Sequence, residues 1–435
     1  MKGEQMKVSV ITLGCKVNQY ESQAMLGRLA PAGFTPCGPD EACDVVLVNS
    51  CTVTAMSDRK VRQVLRRERR AHPDAVLVLT GCLPQAFPEA AEKLTEADVV
   101  LGNSNRASLL PDILKFLSER RRIVDIVPHE KASGFEPMSV DRFYERTRAF
   151  LKIEDGCNRF CSYCIIPYAR GRVRSKPMED LARELDGIAA NGYREVVLTG
   201  INLSAYGQDI GLTLCDAVEA ACAREGILRV RLGSLEPEQL DAPVIARLKR
   251  QPKLCPQFHL SLQSGCDETL RRMNRHYTAD EYRKIVKNIR EAFPNAAVTT
   301  DIMVGFPGET DAEFESSLAF ARETGFAKIH VFAYSRRPGT AADRAEDQVD
   351  PKTKEQRGRL MAQAAQEMRE AFFESQKGLR EPVLFERECE PGVYEGYTEN
   401  YTPVRMQSEK DLCGLVVPVL IAGARGDCCT AGPVC

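Results

Sequence analysis

The chain has no tryptophan and only five histidines, so zinc sites of mixed cysteine and histidine ligands have little material. It has no excess of positive charge. Lysine and arginine number 59 against 61 aspartates and glutamates, a formal charge of −2. That balance excludes a chain-wide basic field for nucleic acid, so any such binding must come from local patches. No apolar run approaches the ~20 residues of a membrane span. The opening MKGEQMKVSV lacks the apolar core of a secretory signal. These absences lead to the expectation of a cytoplasmic protein that makes no use of a membrane.

What is abundant is cysteine, 17 in 435 residues. The chain is too long for a disulfide-stapled mini-domain and carries no export signal. Free thiols or metal ligands are therefore expected. The length allows two or three domains.

Residues 1–145 alternate short Val- and Leu-rich runs (KVSVITLG, DVVLVNS, AVLVLTG, DVVLGNS) with helical stretches such as DRKVRQVLRRERRA. That pattern predicts a doubly wound α/β domain with a parallel sheet. Cys15, Cys51 and Cys82 each follow one of the first three strands. Strand C-termini of an open parallel sheet share one edge, so these three are expected to meet there. Taken singly, each also fits a small buried thiol.

Residues 146–375 hold six strand candidates separated by helices: AFLKIED, EVVLTGI, LRVRLGS, FHLSLQS, AVTTDIMVG and KIHVFAYS. They predict a full or partial β/α barrel, with chemistry at the strand C-termini. A connecting helix follows, with Leu360, Ala364, Met368 and Phe372 at four-residue steps. Residues 376–435 break into short β-like runs with Gly and Pro between them, which predicts a small β-barrel of the kind that holds RNA.

Directly after the first barrel strand stands LKIEDGCNRFCSYCIIPYARGR, with Cys157, Cys161 and Cys164. A closed zinc site needs a fourth ligand, and the nearest histidines in sequence are His129 and His259. A 4Fe-4S cluster on three thiolates keeps one iron open, and an open position marks a reactive metal.

CxxxCxxC at this place resembles the signature of the radical S-adenosylmethionine superfamily. LGCKVNQYES, NSCTVTAMSDRK and TGC, around Cys15, Cys51 and Cys82, resemble the N-terminal domain of its methylthiotransferases, and the tail resembles their TRAM domain. The resemblance covers essentially the whole chain. It implies two 4Fe-4S clusters, one on Cys157, Cys161 and Cys164 that binds S-adenosylmethionine and generates a radical. The other, on Cys15, Cys51 and Cys82, delivers sulfur. It also implies cofactor contacts from Thr199 and Gly200 in LTGIN, from Ser261, from Val304 in MVGFPGET and from Tyr334 in FAYSRRPGT.

GCKVNQYES and NSCTVT are most similar to the enzymes that act on threonylcarbamoyladenosine in tRNA. The resemblance thus implies conversion of that nucleoside, next to the anticodon, to its 2-methylthio derivative. A reductant protein of flavodoxin or ferredoxin type and a sulfur donor are the implied partners. The alternatives are isopentenyladenosine in tRNA, an aspartate of a ribosomal protein, or a non-catalytic RNA-binding protein with structural metal. The basic run from Arg59 to Arg70, and Arg170, Arg172 and Arg174, are candidate contacts to an anionic substrate. Tyr394, Tyr397 and Tyr401 are candidates to stack on bases. The other cysteines, Cys428, Cys429 and Cys435 among them, read as buried thiols or incidental groups.

Overall fold

The computed structural model describes residues 5–38, 41–130, 133–140 and 147–434. The boundary expected at 145/146 and Cys435 lie outside these residues. The first part is a six-stranded, all-parallel sheet of β1 (Met6–Thr12), β2 (Phe34–Pro36), β3 (Val45–Ser50), β4 (Val76–Gly81), β5 (Val99–Leu101) and β6 (Ile123–Asp125). Their order is β2-β1-β3-β4-β5-β6. Every residue of β3, β4 and β5 is buried, as unbroken apolar runs require when helices cover both faces. The chain reverses direction across the sheet between β1 and β3, so the edge beyond their C-termini is a topological switch point. Helix α1 (Lys16–Leu29) leaves β1 there, and α2 (Ala55–Ala71) leaves β3 with Thr54 as its N-cap.

The central part places all six expected strands: β7 (Arg148–Lys152), β10 (Glu195–Thr199), β11 (Arg229–Leu232), β13 (Gln257–Leu260), β14 (Ala297–Val304) and β15 (Lys328–Ala333). Between them lie the short pieces β8 (Glu154–Asp155), β9 (Arg174–Ser175) and β12 (Ser234–Leu235). Pairing runs β7-β10-β11, then β12-β13-β14-β15, with a Val230–Leu254 bridge at the junction. Among the described residues β7 and β15 do not pair, so the barrel stays open on that side.

A 25-residue helix, Pro351–Ser375, follows β15. It leads into a closed five-stranded barrel of β16 (Arg380–Glu390), β17 (Val393–Tyr397), β18 (Pro403–Gln407), β19 (Val416–Arg425) and β20 (Cys428–Pro433). Cys428 and Cys429 are buried in β20, in agreement with the bland reading of the tail cysteines.

Candidate active site

The structure gathers Cys15, Cys51 and Cys82 at the switch point. Cys15 is the N-cap of α1, Cys51 follows β3, and Cys82 follows β4. Close backbone approach makes this possible. A Cβ on Gly14 (φ +122°) would lie 2.9 Å from the Cys51 Cβ, and one on Gly81 (φ +101°) only 2.4 Å from the Ser50 carbonyl. Burial pushes the Cys51 thiol up to about 11, and Cys82 and Cys15 add to the shift. The Cys15 thiol opens on to a cavity but is walled on its other sides, and burial raises it too, against the Arg170 guanidinium. Arg170 Nε donates to Cys82 Sγ at 3.2 Å, and Asn103 Nδ2 approaches the same sulfur at 3.7 Å.

Cys157, Cys161 and Cys164 form a second group after β8. The tight turn here needs glycine at 156 (φ +90°), since a Cβ would sit 2.0 Å from the Arg172 carbonyl. Burial lifts the Cys157 thiol to about 11, and it lifts Cys164 strongly, with Cys161 the next cause. An arginine serves this trio as well. Arg275 Nη1 lies 3.4 Å from Cys161 Sγ, while its Nη2 pairs with Glu236 at 2.5 Å and donates to the Ser261 carbonyl at 3.0 Å.

Clustered thiols, of which burial raises Cys15, Cys51, Cys157 and Cys164, fit a multiply charged metal group that takes them as thiolates. The spacing bears on a single zinc. One tetrahedral zinc at ~2.3 Å from each sulfur would hold the sulfurs about 3.8 Å apart. Among the described residues, the one set of three metal-ligating side chains with all ligand atoms within 4.8 Å is His259, Asp301 and His330. Neither cysteine trio is that tight, which does not match one zinc ion. His129 Nε2 sits 3.1 Å from the Ala169 carbonyl, and among the described residues His129 belongs to no tight set of metal-ligating side chains.

Two buried acceptors beside Cys157 have no partner in the protein, Glu154 Oε1 and Asn202 Oδ1. Burial holds the Glu154 carboxyl well above the carboxylate range. Its Oε2 accepts from the Asn202 backbone N–H at 2.7 Å, and Asn202 Nδ2 points at Cys157 Sγ at 3.9 Å. A Cβ on Gly200 would lie 2.6 Å from Glu154 Oε2, so glycine is required for this approach. Orphaned acceptors here fit the ammonium of a methionine moiety.

A cavity of ≈ 1180 Å³ occupies the barrel interior and its open side. Cys15 and Lys16, Thr199 and Gly200, His259, Asp301 and His330, and Tyr397 and Tyr401 of the small barrel all face it. The lining is mixed, with Val17, Leu232, Phe332 and Phe372 beside the charged groups. His259 Nε2 meets Asp301 at 3.3 Å, and its Nδ1 meets Thr299 Oγ1 at 3.0 Å. Paired residues of parallel strands share a face, so Arg148, Glu195 and Arg229, in register with one another, point inward like Thr199. The inward face of the barrel's lower end is thus salt-bridged rather than aliphatic.

The other sequence candidates divide. Ser261 lies beside Cys161 through the shared Arg275. The Val304 carbonyl accepts from the Tyr334 N–H at 2.9 Å, but the Val304 side chain belongs to the core. Tyr334 packs on Phe306, with a buried hydroxyl that has no partner. Arg170 and Arg174 are not free for a substrate. Arg170 is fully buried against Glu21, Asn18 and Cys82, and Arg174 is held by Asp155 and the Arg170 carbonyl. Arg172 lies over the Phe160 ring, 4.7 Å from its centroid. Tyr394 is in the small barrel's core, whereas Tyr397 and Tyr401 stack on each other at 4.5 Å under the Arg148 guanidinium. In α2, Arg66 pairs with Glu96 and Arg69 with Asp98, while Arg59, Lys60 and Arg62 stay exposed with no partner among the described residues. Glu154, Asn202 and Arg275 escaped sequence reading. The acidic pair closing LKIED was their one local signal.

Two family models match, the Radical SAM superfamily over residues 151–321 and the uncharacterized protein family UPF0004 over residues 7–102. A threonylcarbamoyladenosine tRNA methylthiotransferase, MtaB, of Bacillus subtilis is 38% identical over 423 residues, 96% of this chain and 94% of that protein. Its namesake of Thermotoga maritima is 37% identical over 91% of this chain and 90% of its own length. A tRNA-2-methylthio-N(6)-dimethylallyladenosine synthase of Pelotomaculum thermopropionicum is 34% identical over 96% of both chains. Among solved structures, the radical S-adenosylmethionine methyltransferase TsrM of Kitasatospora setae aligns with a TM-score of 0.58. That alignment covers 90% of this chain and 77% of the other at 15% identity, which is a likeness of fold.

Proposed function

The chain belongs to the radical S-adenosylmethionine methylthiotransferases, and from that membership we infer that it converts N6-threonylcarbamoyladenosine, next to the anticodon of tRNA, to the 2-methylthio nucleoside. The enzyme uses two 4Fe-4S clusters and S-adenosylmethionine. One observation carries the reading. A single cavity touches Cys15 of one thiol trio, the Thr199–Gly200 turn that leads to the other, and the small β-barrel. The charged groups on the cavity wall, Lys16, His259, Asp301 and His330, support the charged threonylcarbamoyl substrate over the aliphatic dimethylallyl one.

On this reading Cys15, Cys51 and Cys82 hold one cluster and Cys157, Cys161 and Cys164 the other, and the chemistry these supply when loaded is radical C–H activation and sulfur delivery. The protein's own part is placement. Glu154 and Asn202 offer acceptors to the cofactor's methionine ammonium. Gly200 lets the backbone approach. Arg170 and Arg275 put a cation against one sulfur of each trio. The stacked tyrosines, with Arg148 and Arg231 over them and Arg229 beside them, close the lower end of the cavity and keep solvent from the reacting base. RNA phosphates are met by Arg59, Lys60 and Arg62. A flavodoxin- or ferredoxin-type reductant and a sulfur donor complete the system in the cytoplasm, where tRNA is found.

The test is a competition. Anaerobically reconstituted protein receives equal amounts of tRNA bearing threonylcarbamoyladenosine and tRNA bearing isopentenyladenosine. Mass spectrometry of the digested nucleosides is expected to show the methylthio group on the first. Its appearance only on the isopentenyl nucleoside, or on neither, overturns the substrate assignment.

A further inference from the structure

Lys16 follows Cys15 and begins α1, on the wall of the cavity. Among the described residues nothing pairs with its ammonium, in hydrogen bond or ion pair. The charged groups that face it are Arg148 and Arg231, which repel it, and Glu195. Glu195 is already engaged. Arg231 Nε binds it at 2.8 Å, Arg229 stands 3.7 Å away and Arg148 3.9 Å away. Arg148 turns to Glu386 at 2.6 Å. Four cations thus share two carboxylates at this end of the cavity. Glu399, 3.9 Å from Arg229, is half-exposed at the rim and reaches no further in.

The far wall adds no anion for Lys16. His330 faces it across the cavity, with Lys328 beside His330, and the other carboxylates of the lining are engaged, Asp301 with His259, Asp427 with Arg369 and Glu395 with Arg405. A lysine in a protein-lined cavity that already has surplus positive charge is a receptor lacking its anion. The threonylcarbamoyl group supplies one. It carries a carboxylate that is ionised at neutral pH, whereas the dimethylallyl group of the competing substrate carries no charge.

We propose that Lys16 binds the carboxylate of the threonylcarbamoyl side chain and so sets the enzyme's choice of substrate. The proposal rests on the substrate reading above. It assigns to Lys16 recognition alone. Arg148 and Arg231 support the ammonium's position by walling the lower end, where they lie over the Tyr401 ring at 5.1 and 4.6 Å from its centroid.

The experiment compares two substrates on holoenzyme with both clusters reconstituted. One is tRNA with natural threonylcarbamoyladenosine. The other is the same tRNA with the threonyl carboxylate converted to its methylamide. Wild type is expected to prefer the acid by about 10- to 100-fold in kcat/KM, the range for a lost charge-assisted hydrogen bond. Lys16→Ala is expected to bring that ratio near one by slowing the acid alone, and Lys16→Arg to keep most of it. Iron and sulfide counts verify that each variant is loaded. If Lys16→Ala loses iron, Lys16→Gln carries the same comparison. An unchanged acid-to-amide ratio in the loaded neutral variant overturns the role of Lys16 and leaves the substrate reading standing. Wild-type enzyme that modifies neither tRNA overturns that reading, and the proposal with it.

Discussion

Arg170 Nε lies 3.2 Å from the sulfur of Cys82, across 88 residues of chain and from one α/β unit to the next. The same guanidinium pairs with Glu21 and reaches Asn18 at 2.8 Å. Glu21 also takes Arg106 at 2.8 Å and Lys152 at 2.7 Å. One buried charge network therefore docks the first sheet on the open barrel and ends on a proposed metal ligand. Removing Arg170 leaves Glu21 two other cations, so Arg170→Ala is expected to cost about 3 kcal/mol, the low end for a broken buried pair. It should also weaken iron retention at the Cys15, Cys51 and Cys82 site. Thermal unfolding and iron analysis check both. An unchanged Tm would remove this contact from the account.

The same network makes a pH prediction. Burial by itself would raise the Glu21 carboxyl, but Arg106, Arg170 and Lys152 outweigh it and hold it at about 2 against an ordinary 4.5. Its stabilising contribution is complete above about pH 4.5 and is lost as pH falls toward 2. Glu21→Gln should lower stability at neutral pH and flatten the acid limb of a plot of Tm against pH. An acid limb as steep as wild type's would show that other carboxyls govern it.

The two thiol trios should fail differently. Cys157→Ala is expected to abolish reductive cleavage of S-adenosylmethionine. Cys51→Ala should retain cleavage and lose methylthiolation. 5′-Deoxyadenosine and modified nucleoside, quantified from the same reaction, separate the two. Identical failure of both loaded variants would contradict the division of roles.

At the junction with the small barrel, Tyr401 stacks on Tyr397 at 4.5 Å and lies under Arg148 and Arg231. Tyr401→Ala removes an aromatic pair worth ~1 kcal/mol and cation–π contacts of similar size, so a loss of about 2 kcal/mol is expected. The Tm measures it, and a loss below about 0.5 kcal/mol would mean that the stack does not hold the two units together.

Phosphate contact by α2 has its own signature. Arg59, Lys60 and Arg62 changed together to Ala should reduce the slope of log affinity for tRNA against log salt by about 2. An unaltered slope would return these residues to the role of a solvated helix face.

The sequence disclosed the cysteine geometry because strand ends of a parallel sheet meet whatever lies between them. Three cysteines far apart, each after an apolar run, had one place to go. Strand β10 of the open barrel was legible because burial on both faces leaves an apolar run, whereas β11 and the mostly exposed β15 showed only by their alternation. The roles of Arg170 and Arg174 were not legible. Next to a cysteine motif they read as free cations, and only docking of the first sheet supplies Glu21, 149 residues away, as the partner that buries Arg170. Glu154 shows the same limit. An acid at the end of a strand is ordinary, and its raised pKa arises from burial that the folded site alone creates. The small barrel was legible as such, but its strand order, β16-β17-β18-β20-β19, was not, because it depends on pairing distant segments.

Counting iron and acid-labile sulfide on the anaerobically reconstituted protein tests the central claim most directly, that each thiol trio carries its own cluster. Wild type is expected to hold roughly eight irons, and each trio replaced by alanine to leave roughly four. Wild type with about four irons, or with zinc in their place, would contradict it, as would either replacement that left the count unchanged.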